Sequence, residues 1–210
     1  MIAPYLGLAQ GSQLTHSRDM EIPEDNVNLS GKLLIAMPGM GDPRFEKSVV
    51  YMCAHSDDGA MGLIINKPTP EVKFDKLLKQ LSIEGDLVSK DQQIYFGGPV
   101  EIGRGFVLHS SEYNLQDVTM QVDETFGMTA TKDVLTDMAN GSGPQSALLA
   151  LGYAGWGAGQ LESELQQNGW LSCDADADVV FKVPDTKKWA AALKLLGVDA
   201  LMLSATAGRA

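Results

Sequence analysis

The stretch SVVYMCAHSDDGAMGLIIN, residues 48–66, restricts the fold more than any other. SVVYMCAH is rich in β-branched residues, SDDG carries turn chemistry, and AMGLIIN returns as a second apolar run. Two such runs joined by a four-residue turn predict a β-hairpin. A chain that contains hairpins mixed with helices, without strict strand–helix–strand alternation, belongs to the α+β class.

The remaining segments are consistent with that class. KLLIAM (32–37), QIYF (93–96), GFVLH (105–109) and SALLAL (146–151) read as strands, and Val118, Met120 and Val122 alternate with polar residues as a half-exposed strand. Phe74, Leu77, Leu78 and Leu81 recur with helical spacing. TKDVLTDMA (131–139) and GQLESELQQNG (159–169) are further helices, the second with Gly169 past its end. CDADADVVFKV is read as an acidic loop entering a strand, and Asp185 or Thr186 as the cap of a last helix carrying Trp189, Ala192, Leu193 and Leu196. Asp42 followed by Pro43 opens a short helix. No linker divides the chain, so residues 29–210 are read as a single domain and 1–28 as a flexible N-terminal extension.

Charge narrows the partners. Lys and Arg total 16 against 27 acids, giving a formal net charge of -11 and no basic run. A phosphate backbone needs a basic patch, so direct nucleic-acid binding is not expected. Hydrophobic residues make up 44% of the chain, which excludes a disordered protein. Two cysteines, Cys53 and Cys173, make no disulfide framework and suit a reducing cytoplasm. No stretch reaches the roughly 20 apolar residues of a membrane helix, and the N-terminus is a poor signal peptide. A cytoplasmic location with no membrane association is the expectation.

Three glycine-rich stretches invite a nucleotide reading, and none fits. In LLALGYAGWGAGQLESEL the glycines at 152, 155, 157 and 159 miss the dinucleotide spacing, because Gln160 stands where the third glycine belongs. Glu162 and Glu164 occupy the first turn of the following helix and would repel an anion, so this stretch is read as a tight turn. In MPGMGDPR the third position is Arg44. FGGPVEIGRGF has no helix after it, and its glycines predict unusual torsions or close packing against another segment.

Candidate reactive groups are few. Cys53 and His55 are two apart in a strand and are expected on one face with Tyr51 and Val49, as a nucleophile and base or as two metal ligands. The alternative is a small buried hydrophobe beside a strand-end histidine. His109 ends another strand, and Arg104 follows the GGP turn. Trp156, a large aromatic among glycines, packs on a core or anchors a partner. No C-x-x-C, H-x-x-x-H, GxSxG or calcium-loop pattern occurs, so no metal, cofactor or catalytic set is assigned.

KLLIAMPGMGDPRFEKSVVYMCAHSDDGAMGLIINKP, YFGGPVEIGRGFVLHSSEY and ALLALGYAGWGAGQLESEL with NGWL together resemble the YqgE/AlgH family of bacterial proteins, across roughly residues 29–206. The resemblance implies a cytosolic single-domain α+β fold with a strongly bent, mixed or antiparallel sheet and packed helices. It supplies no catalytic residues and no cofactor. Family motif positions include Asp42, Phe45, His55, Gly62, Asn66, Pro68, Gly97, Gly98, Pro99, Arg104, Phe106, His109, Gly155, Trp156, Gln160, Glu162 and Trp170. Some members carry a transcriptional-regulator label. The acidic chain shows no helix-turn-helix, so any effect on transcription is expected to run through protein contacts. The preferred expectation is a non-enzymatic interaction or regulatory domain with a protein partner. The alternative is a small-ligand-binding or hydrolase-like enzyme with a site at His55, Asn66, Arg104 and His109. Oligomeric state is not legible.

Overall fold

A computed structural model describes residues 28–84 and 92–203, so all but the last residue of the N-terminal extension lies outside the described residues. The described chain builds one curled, mostly antiparallel sheet with five α-helices packed on it. Its strands are β1 (Lys32–Ala36), β2 (Val49–Ser56), β3 (Gly59–Ile64), β4 (Ile94–Phe96), β5 (Val100–Ser110), β6 (Met120–Gln121), β7 (Phe126–Thr129), β8 (Ala147–Gly157) and β9 (Trp170–Asp174). The helices are α1 (Phe74–Gln80), α2 (Lys132–Asn140), α3 (Gln160–Gln166), α4 (Ala177–Phe181) and α5 (Asp185–Leu195). Strand order is β6-β7-β5-β8-β3-β2-β1-β9, and β4 pairs with β8 in parallel. Among the described residues no helix is long and apolar enough to cross a membrane.

Apolar runs that are buried on both faces explain why several strands lack clean alternation. Leu33 and Ile35 of β1 enter one core with Tyr51, Leu63, Leu108 and the α4–α5 residues Val180, Ala192 and Leu193. Leu34 and Ala36 face the other way, against Val50, Met52, Trp156, Leu161 and Trp170 under α3. At the far end of that second face α1 and α2 bury Phe74, Leu78, Val134 and Leu135 on Val107 and Leu149. The sheet is thus the middle layer of three.

The hairpin predicted at 48–66 forms as β2 and β3, with Ser56 opposite Gly59. Asp42 caps as expected, its Oδ1 accepting from the Arg44 N–H at 2.9 Å before a single 3-10 turn, Pro43–Phe45. Four expectations differ. Gly152, Gly155 and Gly157 lie inside β8, not in a turn; only Gly159, at φ 70, makes the strand-to-helix bend. Residues 177–181 form α4 instead of a strand, because Asp176 accepts from the Val179 N–H and caps a helix. Val118 falls outside β6, which is two residues long. Neither Asp185 nor Thr186 caps the last helix; its N-cap position is Pro184.

The GGP segment packs as closely as its glycines suggested. β4 and β5 are consecutive in the chain yet flank β8 on opposite edges, so residues 97–99 must pass over it. A Cβ on Gly97 would lie 2.2 Å from the Gly152 carbonyl oxygen, and one on Gly98 would lie 2.1 Å from the Tyr153 carbonyl carbon. Gly152 itself is left-handed (φ +72) and a Cβ there would meet the Gly98 oxygen at 2.5 Å. The kink also reverses which face each residue of β8 presents. Leu148 and Ala150 point into the α4–α5 core, whereas Ala154 and Trp156, of the same parity, point under α3.

Gly152→Ala combines a left-handed alanine with a backbone clash, and is expected to lower unfolding free energy by about 2–5 kcal/mol. Gly103→Ala, where nothing lies within 4 Å of the added atom, is the control. It should stay within about 0.5 kcal/mol of the parent in urea denaturation. Equal stability of the two variants would mean the crossing is not tight.

Candidate functional site

The reactive residues picked from sequence are dispersed. A register shift between Met52 and Ala54 turns the end of β2 over, so Cys53 and His55 do not share a face. Cys53 is buried in the α4–α5 core, and burial pushes its thiol up to about 12. His55 lies opposite Ala60, beneath α3. Its Nδ1 accepts from the Leu29 N–H at 3.1 Å, so the proton sits on Nε2, which donates to Glu162 Oε1 at 2.6 Å. Asn66 is a backbone clamp: Oδ1 accepts from the Val49 N–H and Nδ2 donates to the Lys47 carbonyl, holding Lys47 at φ 50. Arg104 is exposed, paired with Glu101 at 3.2 Å and lying 5.1 Å over the Phe106 ring.

His109 is fully buried at the other end of the sheet. Nδ1 donates to the Ser110 carbonyl at 3.0 Å, which leaves Nε2 to accept from the Thr129 hydroxyl at 3.0 Å. Thr129 in turn accepts from Thr119 at 2.7 Å, and Thr119 accepts from the Leu115 N–H. Every donor in this chain is used once, and only a neutral imidazole completes it. Burial accordingly lowers the His109 pKa. His109 pairs with Ala147 at the start of β8, while His55 is reached through Ala60 from Trp156 near its end. At about 3.3 Å per residue that puts the two histidines on the order of 30 Å apart. His55, Asn66, Arg104 and His109 therefore do not form one cleft.

A different set of residues converges. The loop after β1, the GGP crossing, the end of β8, α3 and the start of β9 enclose an open groove of about 920 Å³. Its walls include Met40, Asp42, Arg44, Phe45, Pro99 and Trp156. A second hollow of about 530 Å³ lies across the same loop, against Trp189 and Lys47. Trp156 is the one sequence-selected candidate that lines the groove. The strand–helix connection aims Glu164 back at it: Oε2 accepts from Trp156 Nε1 at 2.9 Å and from Trp170 Nε1 at 2.8 Å, and Oε1 accepts from Gln160 at 2.9 Å. The two indoles meet edge-on at 5.9 Å, and Phe45 meets Trp170 edge-on at 5.6 Å. The Gly169 carbonyl accepts from the Met37 N–H, tying the loop to β9. Asp42 is engaged by Arg44, with Nη2 at 2.7 Å, which holds its carboxyl below the usual range.

These segments are the ones whose sequences resemble a known family, and comparison with known proteins decides the matter. A family model described as AlgH-like matches residues 33–201. The chain belongs to the YqgE/AlgH family. A UPF0301 protein of Paracoccus denitrificans is 54% identical over 189 residues, covering 89% of this chain and 100% of its own. One from Ruegeria pomeroyi is 56% identical over 185 residues, covering 88% and 100%. The solution structure of the AlgH protein from Pseudomonas aeruginosa superposes with a TM-score of 0.72 at 43% identity, covering 88% of this chain and 97% of that one. A Corynebacterium diphtheriae crystal structure, at 20% identity and a TM-score of 0.65, shares the fold over 80% and 87% of the two chains.

In this YqgE/AlgH domain, among the described residues, no three His, Cys, Asp or Glu side chains are grouped to hold a metal. Glu164 escaped selection from sequence because its role depends on two tryptophans that only the fold brings together. Lys188 was also missed. It is buried, with Nζ donating to the Ile65 carbonyl at 2.8 Å and 3.0 Å from Asp185. Its position one turn before Ala192 on the apolar stripe of α5 was a signal for that burial.

Glu164→Leu strands two indole donors, each costing about 1–3 kcal/mol, so a loss of about 2–6 kcal/mol is expected in urea denaturation. Retention of full stability would show the clamp to be idle. For His109 the folded pKa lies below the unfolded value of about 6.5, so the unfolded chain binds more protons in acid and stability falls as pH drops below about 6.5. Wild type should lose more stability than His109→Gln between pH 7.5 and 5.5; an equal loss would count against a neutral buried imidazole.

Proposed function

We propose that this YqgE/AlgH domain is a cytosolic interaction module without an activity of its own, and that its partner protein seats in the groove beside α3. The observation that carries this reading is the convergence of three separated sequence motifs on one concave surface. Methionine, proline and aromatic side chains line it, with a polar rim of Gln160, Gln167 and Asn168. Met is adaptable and aromatic residues are enriched where partners bind. The charged groups of the groove are already bonded internally, Asp42 to Arg44 and Glu164 to the two indoles, which suits a rigid recognition surface better than proton transfer. Any effect on transcription runs through that partner, since a chain of net charge -11 is repelled by DNA.

Photo-crosslinking in cells tests this reading. A photoreactive side chain at Gln167, on the groove rim, is expected to give discrete protein adducts, and the same group at exposed Lys76 on α1 is expected to give none. Identical patterns from both positions would remove the groove as the partner site.

A further inference from the structure

The GGP crossing leaves part of β8 without a neighbour. β5 lies on one edge of β8 and β3 on the other. The β5 ladder ends with Val100 opposite Tyr153, whereas β3 pairs with Ala154 through Gly157. Residues 154–157 therefore have β3 on one edge and, among the described residues, no strand on the other. The cause is local. Residues 97–99, which would continue the line of β5, turn over Gly152 and lead back to β4 instead. Pro99 has no N–H to offer a ladder.

Backbone direction in the vacant slot follows from the period of two. The Gly157 N–H donates to Gln160 Oε1 at 3.1 Å, so it points away from β3. Gly155, two residues back, presents its N–H and C=O along the same edge, while Ala154 and Trp156 turn theirs toward β3. Both glycines are exposed, and nothing lies within 4 Å of where a Cβ on Gly157 would be. A second backbone can approach Gly157 without meeting a side chain, whereas Tyr153 Cε2 lies 3.1 Å and Val100 Cγ2 3.7 Å from where a Cβ on Gly155 would be. Gln160 thus fills with a side chain the place of a strand partner.

Charge selects the occupant. Glu164, on the groove wall beside the slot, has three neutral donors and no cation among its bonding partners. Arg44, on the same wall, is matched by Asp42, and Lys67, which donates to the Arg44 carbonyl at 2.6 Å, has Glu46 and Asp42 near it. Glu164 thus offers the slot a carboxylate that no cation bonds, in a chain of net charge -11.

We propose that an extended segment of a partner protein adds as a strand to β8 at Gly155 and Gly157, displacing the Gln160 side chain and directing a Lys or Arg toward Glu164. This rests on the groove being the partner site and specifies how it is engaged: main-chain bonds for affinity, one basic side chain for selectivity.

The test uses the full chain and two pools of random octapeptides, one with lysine fixed at a central position and one with glutamate. The lysine pool is expected to yield binders whose addition shifts the amide resonances of Gly155 and Gly157. Gly157→Pro, which removes the edge donor and leaves the β3 ladder intact, should weaken them about tenfold or more. Gln160→Ala, which unplugs the slot, should tighten them, a gain that damage to the fold would not produce. Absence of binders, equal yield from the two pools, or binders indifferent to both substitutions overturns the proposal. Binders that shift groove residues but ignore Gly157→Pro would leave the groove reading standing and end the strand-addition one. A concentration-dependent dimer abolished by Gly157→Pro would assign the slot to a second copy of the chain and likewise overturn it.

Discussion

Contact between two backbones at Gly97, Gly98 and Gly152 governs this fold. Strand β8 can be flanked by consecutive strands only if the link between them passes over it, and peptide groups can approach so closely only where no Cβ intervenes. Everything distinctive follows from that crossing. It sets β4 and β5 on opposite edges, forces the left-handed kink at Gly152, and through the kink turns Trp156 toward α3 and away from the α4–α5 core. A fold with β4 and β5 side by side would have neither the groove nor its tryptophans.

The two strand irregularities act together. The shift in β2 near Cys53 and the kink in β8 each exchange inner and outer faces within a strand. As a result the ends of β2, β3 and β8 direct His55, Ala60 and Trp156 to the same side, where α3 covers them. His55 then anchors Glu162, and Glu164, two residues on, reaches over the end of β8 to both indoles. Helix α3 is short, and little intrinsic propensity holds a helix of seven residues in water. Its carboxylates, fastened to the sheet at two points, fix it in place.

Much of this was legible in the sequence, and the failures have definite causes. The 48–66 hairpin, the helix at 74–81 and the Asp42 cap follow from local rules that tertiary packing did not override. The glycines of β8 misled because a glycine-rich run reads as a turn when its partner segment is unknown; the reason for Gly152 lies some fifty residues away, at Gly97 and Gly98. Alternation placed Cys53 and His55 on one face, and a bulge, which no period reveals, separated them. The apolar run after the acidic loop of CDADADVVFKV reads as a strand, yet Asp176 caps a helix there. His109 looked reactive as a strand-end histidine, but the Ser110 carbonyl and the Thr129 hydroxyl, the latter twenty residues away, use both of its bonding roles internally.

The Glu164 clamp illustrates how a stable local structure can still exert a directed field. Two indole donors and an amide occupy three of the roughly four acceptor sites of the carboxylate without cancelling its charge. An arginine in place of either tryptophan would have neutralised it, with the pair's field falling off steeply. Neutral donors leave a full negative charge at a fixed position, partly buried and hence weakly screened by salt. Aromatic packing by Trp156, Trp170 and Phe45 excludes water from one side of it and holds the geometry. The same contacts that stabilise the α3 end of the sheet therefore fix the Glu164 carboxylate in the groove wall.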